Sequence, residues 1–228
     1  MDNGLDRSWQ KRHLAERQHY RFQLATDWDH NPVAKTIIPL LQEICGETII
    51  DVGCADGFYS CLFNEIGAIT TMTDLSMIKD NEYDAIYSSH NIEHLFAHEV
   101  DIALEEFSRV LDNEGEIFIT CPDMARAAEE IIKGNFLGVL YESRAGPISA
   151  IDILFGHRES LRNGQHHMAH RVGFTLKILL GLLKAHGFNT VAGTSDNMDL
   201  YVIGLLEKNS DKLAESKLRE HLDGLVKV

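Results

Sequence analysis

The sequence predicts an α/β fold built on a doubly wound, mainly parallel β-sheet, and three observations carry that prediction. Short β-branched runs alternate along the chain with longer segments whose apolar residues recur at helical spacing. The first such run, residues 48–52, is too short for a helix and is almost wholly apolar, as is typical of a strand covered on both faces. A glycine-containing turn follows it directly, as expected where a strand passes into a helix.

The order of the elements follows from the periodicity of each segment. Asn31 and Pro32 are typical of a helix start, and the helical spacing after them ends at Gly46. Further helices are predicted over residues 58–66, 100–111 and 175–186, and further strands over residues 68–72, 83–87, 116–120 and 200–206 and near Thr190. Strands that alternate with helices in this way pair in parallel, with crossovers on both faces of the sheet.

Length and composition favour one domain. A chain of 228 residues with 44% hydrophobic content can bury a core unaided. Residues 1–46 are expected to form N-terminal cap helices, and residues 207–228 a C-terminal helix. Residues 123–172 interrupt the alternation just after a strand, at the edge where open α/β sheets bind ligands. We expect this insertion to form a helical lid over the substrate.

The charge balance bears on partners. The chain has 35 acidic and 21 basic side chains, a net charge of −14, which disfavours nucleic acid and anionic membranes as partners. The first residues are charged where a signal peptide would be apolar, and no apolar run reaches the about 18 residues of a membrane span. The four cysteines form no C-x-x-C pair, which favours reduced thiols and a cytoplasmic location.

The turn after the first strand predicts the kind of ligand. It runs from Asp51 to Gly57 and contains a second carboxylate, Asp56. A dinucleotide would favour G-x-G-x-x-G without adjacent negative charge, because the helix amides bind its diphosphate. Two carboxylates favour instead a ligand with an ammonium and a sulfonium group. The turn therefore predicts S-adenosylmethionine and disfavours a nicotinamide-dependent oxidoreductase.

With the segments that follow, this turn resembles class I S-adenosylmethionine-dependent methyltransferases, especially the small-molecule branch called methyltransferase type 11. The likeness covers residues 51–123 and, more loosely, residues 174–206. It implies a Rossmann-like sheet whose last strand is antiparallel. It also implies that residues of the turn bind the methionine part of the cofactor, namely Asp51, Gly53, Cys54, Ala55 and Gly57.

The resemblance extends to the next strands, with one departure. Asp74 lies 23 residues after Asp51 and resembles the acidic residue that binds the ribose hydroxyls. Only nine residues separate Asp74 from Asp84, too few for a helix and a strand, so one edge strand of the family sheet is expected to be lacking. Asp74 and Leu75 could therefore contact adenine instead of ribose. Residues 83–95 are similar to the family's fourth motif, which implies a cofactor contact for Ser89.

Histidines supply the candidates for acid–base chemistry. His90 follows the strand whose end faces the reactive methyl in the family, and His167 and His170 belong to the insertion. The spacing of His90, His94 and His98 would suit a metal on a continuous helix, but His90 precedes the helix. His166 and His170 also have chelating spacing, although solvated or packed imidazoles, proton transfer or substrate contact explain the pair as well. The sequence therefore predicts no metal.

Together these observations predict in-line transfer of a methyl group to an oxygen or nitrogen of a small molecule. A natural-product scaffold and a sugar are equally compatible acceptors, and a homodimer is left open. The alternatives are a non-catalytic S-adenosylmethionine-binding relative and, with less support, a nicotinamide-dependent oxidoreductase.

Overall fold

The computed structural model describes residues 49–52, 68–69, 72–76, 78–143 and 145–206. Several predicted features lie outside these residues. They are the cap helices at residues 1–46, the glycine turn at residues 53–57, the helix at residues 58–66 and the C-terminal helix at residues 207–228.

The described residues form eight strands and five α-helices. The strands are β1 (Ile49–Val52), β2 (Ala68–Ile69), β3 (Tyr83–Ser89), β4 (Leu111–Pro122), β5 (Val139–Ser143), β6 (Gly146–Ser149), β7 (Thr190–Asp196) and β8 (Asp199–Leu205). The helices are α1 (Ala97–Val110), α2 (Met124–Ile132), α3 (Ala150–Phe155), α4 (Arg158–Arg162) and α5 (Leu176–Ala185). There are also two short 3₁₀ turns in this part of the chain. Ile92–His94 lies between β3 and α1, and His166–Met168 lies between α4 and α5.

One six-stranded sheet organises the molecule, in the order β2-β1-β3-β4-β8-β7. Strands β1 to β4 pair in parallel, whereas β8 is antiparallel to both of its neighbours, β4 and β7. The prediction of a mainly parallel sheet with an antiparallel last strand is confirmed. Within the described ranges β2 is the edge strand beside β1, which agrees with the predicted loss of the strand that would lie beyond it.

Two strands are longer than predicted. Strand β3 continues to Ser89, and β4 begins at Leu111, immediately where α1 ends. The register between them shifts after the pair Tyr83–Leu111, so that Ala85 pairs with Glu116. The extra residues of β4 interrupt the regular pairing, and the sequence does not predict them as strand because their polar composition is typical of a turn.

The insertion at residues 123–172 is helical over α2, α3 and α4, as predicted. It also contains the antiparallel hairpin of β5 and β6, which the helical periodicity did not predict. The hydroxyl of Ser143 donates to the carbonyl of Gly146 at 2.8 Å and closes the hairpin turn, while Gly146 takes a φ of 122°. These strands are short and pair only with each other, so they leave little period-two signal in the sequence.

The core lies between α1, the sheet and α5. Helix α1 turns Val100, Leu104 and Phe107 inward, and α5 contributes Leu179 and Leu183. These side chains are at most 3% exposed. The helices in the described part of the chain are all too short or too polar to cross a bilayer.

Candidate active site

The carboxyl ends of β1, β3 and β4 meet at one edge of the sheet. Asp51 pairs with Tyr87 across β1 and β3, and Ser89 pairs with Thr120 across β3 and β4. The antiparallel strand β8 begins at the same edge, where Asp199 pairs with the last residue of β4. Ligands of open α/β sheets bind beyond this edge, so the side chains here are the candidates for function.

His90 occupies the first position after β3 in an unusual backbone conformation. Its φ is 47°, in the left-handed region that few residues other than glycine adopt. The backbone N–H of His90 donates to the carbonyl of Thr120 at 2.9 Å, and the hydroxyls of Ser89 and Thr120 share a hydrogen bond of 2.8 Å. The turn is thus fixed against β4, and backbone strain held in this way is frequent at functional sites.

Two carboxylates flank the imidazole of His90. Nδ1 lies 3.5 Å from Oε1 of Glu93, and Nε2 lies 3.8 Å from Oδ2 of Asp199. Desolvation alone would lower the pKa of His90, but the two acidic neighbours outweigh it and raise the pKa to about 9. Burial likewise raises the pKa of Asp199, with the nearby imidazole opposing that shift. This arrangement favours the charged form of His90, which can donate a hydrogen bond.

The end of the insertion docks on the 3₁₀ turn that follows β3. The carbonyl of Glu93 accepts from the backbone N–H of Arg171 at 2.8 Å and of Val172 at 3.3 Å. His94 and His170 pack edge to face, with ring centroids 5.1 Å apart. The structure therefore brings His170 beside the neighbours of His90, whereas His167 lies exposed on the second 3₁₀ turn.

Asp74 and Leu75 lie in the segment between β2 and β3. Asp74 is exposed and accepts from the backbone N–H of Ser76 at 3.1 Å, while Leu75 is 1% exposed and belongs to the core. The backbone N–H of Leu75 donates to Glu106 at 3.0 Å, and its carbonyl accepts from Arg109 at 2.9 Å. Helix α1 thus fixes this turn in place. A contact of either residue with the cofactor stays a prediction.

Only two of the remaining predicted cofactor residues belong to the part of the chain that the structure describes. Asp51 belongs to β1, and Ser89 to the end of β3. Four residues of the glycine turn, Gly53, Cys54, Ala55 and Gly57, lie outside the described residues.

Glu93 and Asp199 are not among the residues that the sequence predicts at the site. A signal existed for Glu93, because it follows His90 by three residues and one turn can bring such residues together. No local signal existed for Asp199. It reaches the site only because β8 pairs antiparallel with β4, in the register that joins Asp199 to Pro122.

A known family model matches the part of the chain that contains the ends of β2 and β3. Residues 69–119 match the family model of a methyltransferase domain. The matched segment contains Asp74, Ser89, His90 and Glu93. The match supports an enzyme that transfers methyl groups and uses S-adenosylmethionine as its cofactor.

Solved structures similar to the chain include three methyltransferases. One is a SAM-dependent methyltransferase, possible histamine N-methyltransferase, from Thermotoga maritima, with 14% identity over 87% of this chain and 100% of that chain and a TM-score of 0.45. A SAM-dependent methyltransferase from Methanosarcina mazei shares 13% identity over 75% and 98% of the two chains, with a TM-score of 0.48. An O-methyltransferase family protein from Burkholderia thailandensis has 11% sequence identity to this chain. The match covers 78% of this chain and 57% of that chain, with a TM-score of 0.49. The chain matches no curated protein.

Proposed function

We propose that the protein moves the methyl group of S-adenosylmethionine to an oxygen or nitrogen of a small molecule. The observation that carries the proposal is that the segment matching a methyltransferase domain contains the strand end at which His90 lies. Glu93 and Asp199 outnumber the charged His90 between them, so the net charge at this edge is negative, which would attract a sulfonium and repel a diphosphate. The charge of the described residues at this edge therefore fits the proposed cofactor.

The chain's task in this reaction is alignment. When bound, S-adenosylmethionine supplies a methyl group that is already activated for in-line displacement. The carboxyl ends of β1 and β3 would hold the donor, and the insertion would exclude water and orient the acceptor. We assign a small-molecule acceptor because the end of the insertion docks on the turn that contains Glu93, where it would limit the size of the molecule that reaches His90.

His90 is the residue that we assign to the acceptor. Its imidazole is half exposed at the end of β3, and the carboxylates of Glu93 and Asp199 favour its charged form. It would therefore orient the acceptor by donating a hydrogen bond rather than act as the base predicted from sequence. The base remains a proposal for His170 or His167, and His170 is the better placed because its ring contacts His94.

Calorimetry tests the cofactor assignment. We expect S-adenosylhomocysteine to bind the purified protein and NAD not to bind. Asp51→Asn should weaken S-adenosylhomocysteine binding at least about tenfold, which corresponds to about 1.4 kcal/mol. The matched control is Asp101→Asn, an exposed carboxylate on α1 with a side chain 62% exposed. Tight NAD binding without S-adenosylhomocysteine binding would refute the proposal.

A second experiment tests His90. After a screen of small molecules with oxygen and nitrogen nucleophiles, single-turnover rates would be compared for wild type and His90→Ala. We expect a rate loss of about 10²-fold, with little change in the affinity for S-adenosylhomocysteine. His98→Ala, the loss of an exposed imidazole on α1, is the control. Equal rates for His90→Ala and wild type would remove His90 from the mechanism, and cofactor binding without any transfer would indicate a non-catalytic relative.

The proposal extends to the location of the protein in the cell and to its partners. We propose a cytoplasmic protein, as the cysteine pattern favours, and the net charge of −14 supports the absence of nucleic-acid and membrane partners. Homodimerisation stays a prediction that light scattering would test.

A further inference from the structure

We propose that Glu93, His94 and His170 form a binding site for a divalent cation of the zinc type, contrary to the sequence-based expectation of no metal. Each residue offers one ligand atom, and the three atoms lie within 4.8 Å of one another. Two imidazoles and one carboxylate are the donor set of open zinc sites, which keep a coordination position for a further ligand.

The two histidines are oriented as metal ligands usually are. Nδ1 of His94 lies 3.1 Å from the carbonyl oxygen of Ala169, and Nδ1 of His170 lies 2.8 Å from that of Ile153. A carbonyl oxygen only accepts, so each Nδ1 carries the proton and donates it. In the neutral imidazole each Nε2 therefore keeps its lone pair. A backbone carbonyl behind the ring is the usual outer partner of a metal-bound histidine.

Glu93 supplies the second, independent observation. Its side chain is 2% exposed, and among the described residues neither carboxylate oxygen has a hydrogen-bond partner. The nearest cationic group is the imidazole of His90 at 3.5 Å, longer than a good charged hydrogen bond. This long ion-pair contact leaves the buried carboxylate with little hydrogen bonding, and a bound cation would stabilise it further.

The three residues come from two separate parts of the chain. Glu93 and His94 belong to the 3₁₀ turn after β3, whereas His170 lies at the end of the insertion. The hydrogen bond from Arg171 to the carbonyl of Glu93 holds these parts together. The cluster therefore differs from both sets of histidines whose spacing would suit a metal on a helix. His98 and His166, which belong to those sets, are exposed and lie outside the cluster.

The spacing of the ligand atoms requires a small adjustment on binding. Zinc with bonds of about 2.1 Å in a tetrahedral site would set its ligand atoms about 3.4 Å apart. Binding would therefore draw the ligand atoms together by side-chain rotation of the partly buried histidines. The cation would then lie next to His90 and, if the proposed methyl transfer holds, close to the acceptor. It would occupy Nε2 of His170, so in the zinc-bound protein the proposed base would be His167.

Zinc titration tests the site. The full chain would be dialysed against EDTA and then titrated calorimetrically with zinc chloride, without any methyl donor, so that the result does not depend on the proposed activity. We expect one tight site in wild type. His94→Ala, His170→Ala and Glu93→Gln should each weaken binding by at least about tenfold. His98→Ala should bind as wild type does. Wild-type affinity in all three cluster variants would overturn the proposal.

A measurement on wild type keeps the test independent of how well the variants fold. Crystals grown with zinc chloride would be measured at the zinc absorption edge. We expect an anomalous peak at coordination distance from Glu93, His94 and His170. A peak elsewhere, or none at this cluster, would refute the site. Because the titration contains no methyl donor, failed zinc binding would leave the proposed methyltransferase activity intact.

Discussion

At the scale of single residues, Asp152 shows how one buried charge can organise the insertion. Its side chain is 2% exposed and accepts from both the backbone N–H and the hydroxyl of Ser149, at 2.9 and 2.5 Å. The guanidinium of Arg158 donates through Nε at 2.8 Å and Nη2 at 3.0 Å. One carboxylate therefore caps α3 and joins it to α4, so its charge should matter for stability.

Asp152→Asn should lower the free energy of unfolding by about 2 kcal/mol, because it keeps the volume but removes the charge that these donors face. Urea unfolding would measure the loss. The matched control is Glu159→Gln, which breaks an exposed ion pair with Arg162 whose side chains are 52% and 76% exposed. The control should change stability by less than about 0.5 kcal/mol. Equal losses in both variants would contradict this account.

The same carboxylate predicts a pH dependence with a definite sign. Burial alone would raise the pKa of Asp152, but hydrogen bonds from Arg158 and Ser149 hold it well below its ordinary value of 3.8. A lowered folded pKa adds stability above the unfolded pKa and loses it as the pH falls through the folded one. The stability difference between wild type and Asp152→Asn should therefore be constant from about pH 7 to 5 and shrink below about pH 4. An unchanged difference in urea unfolding at about pH 3 would refute it.

At the scale of elements, a glycine sets how closely two parts of the insertion approach. Gly156 ends α3 with φ 94° and ψ 158°, a region nearly restricted to glycine. A Cβ atom there would clash with the carbonyl oxygen of Met168 in the second 3₁₀ turn. This contact precedes His170 by two residues, so it helps to position the end of the insertion over the 3₁₀ turn of Glu93.

Gly156→Ala should therefore destabilise the protein more than the same change at Gly164. Gly164 also has a positive φ, 85°, but a Cβ atom there would meet nothing within 4 Å. We expect a loss of about 1 kcal/mol at Gly164 from backbone strain alone and about 3 kcal/mol or more at Gly156, where the clash adds to it. Thermal unfolding would measure both. A loss at Gly156 no greater than that at Gly164 would show that the backbone approach is easily relieved.

At the scale of the whole molecule, local patterns predicted the sheet better than they predicted the site. Strand β1 and helix α1 were identified because their periodicity and length are properties of neighbouring residues. The position of His90 followed from where β3 ends. The contacts of His90 with Asp199, and of His94 with His170, join residues distant in sequence, and only the paired sheet and the docked insertion determine them. Local periodicity contains no information on such pairings.

The net charge of −14 gives a prediction for the molecule as a whole. Like charges destabilise a compact state through mutual repulsion, and salt screens that repulsion. Raising sodium chloride from about 50 to 500 mM at pH 7 should therefore raise the midpoint of thermal unfolding by about 2–4 °C, equivalent to about 1 kcal/mol. The same titration near pH 5.2, where the sequence is isoelectric, is the control and should give a much smaller shift. An equal shift at both pH values would mean that salt acts through burial of apolar surface rather than through charge.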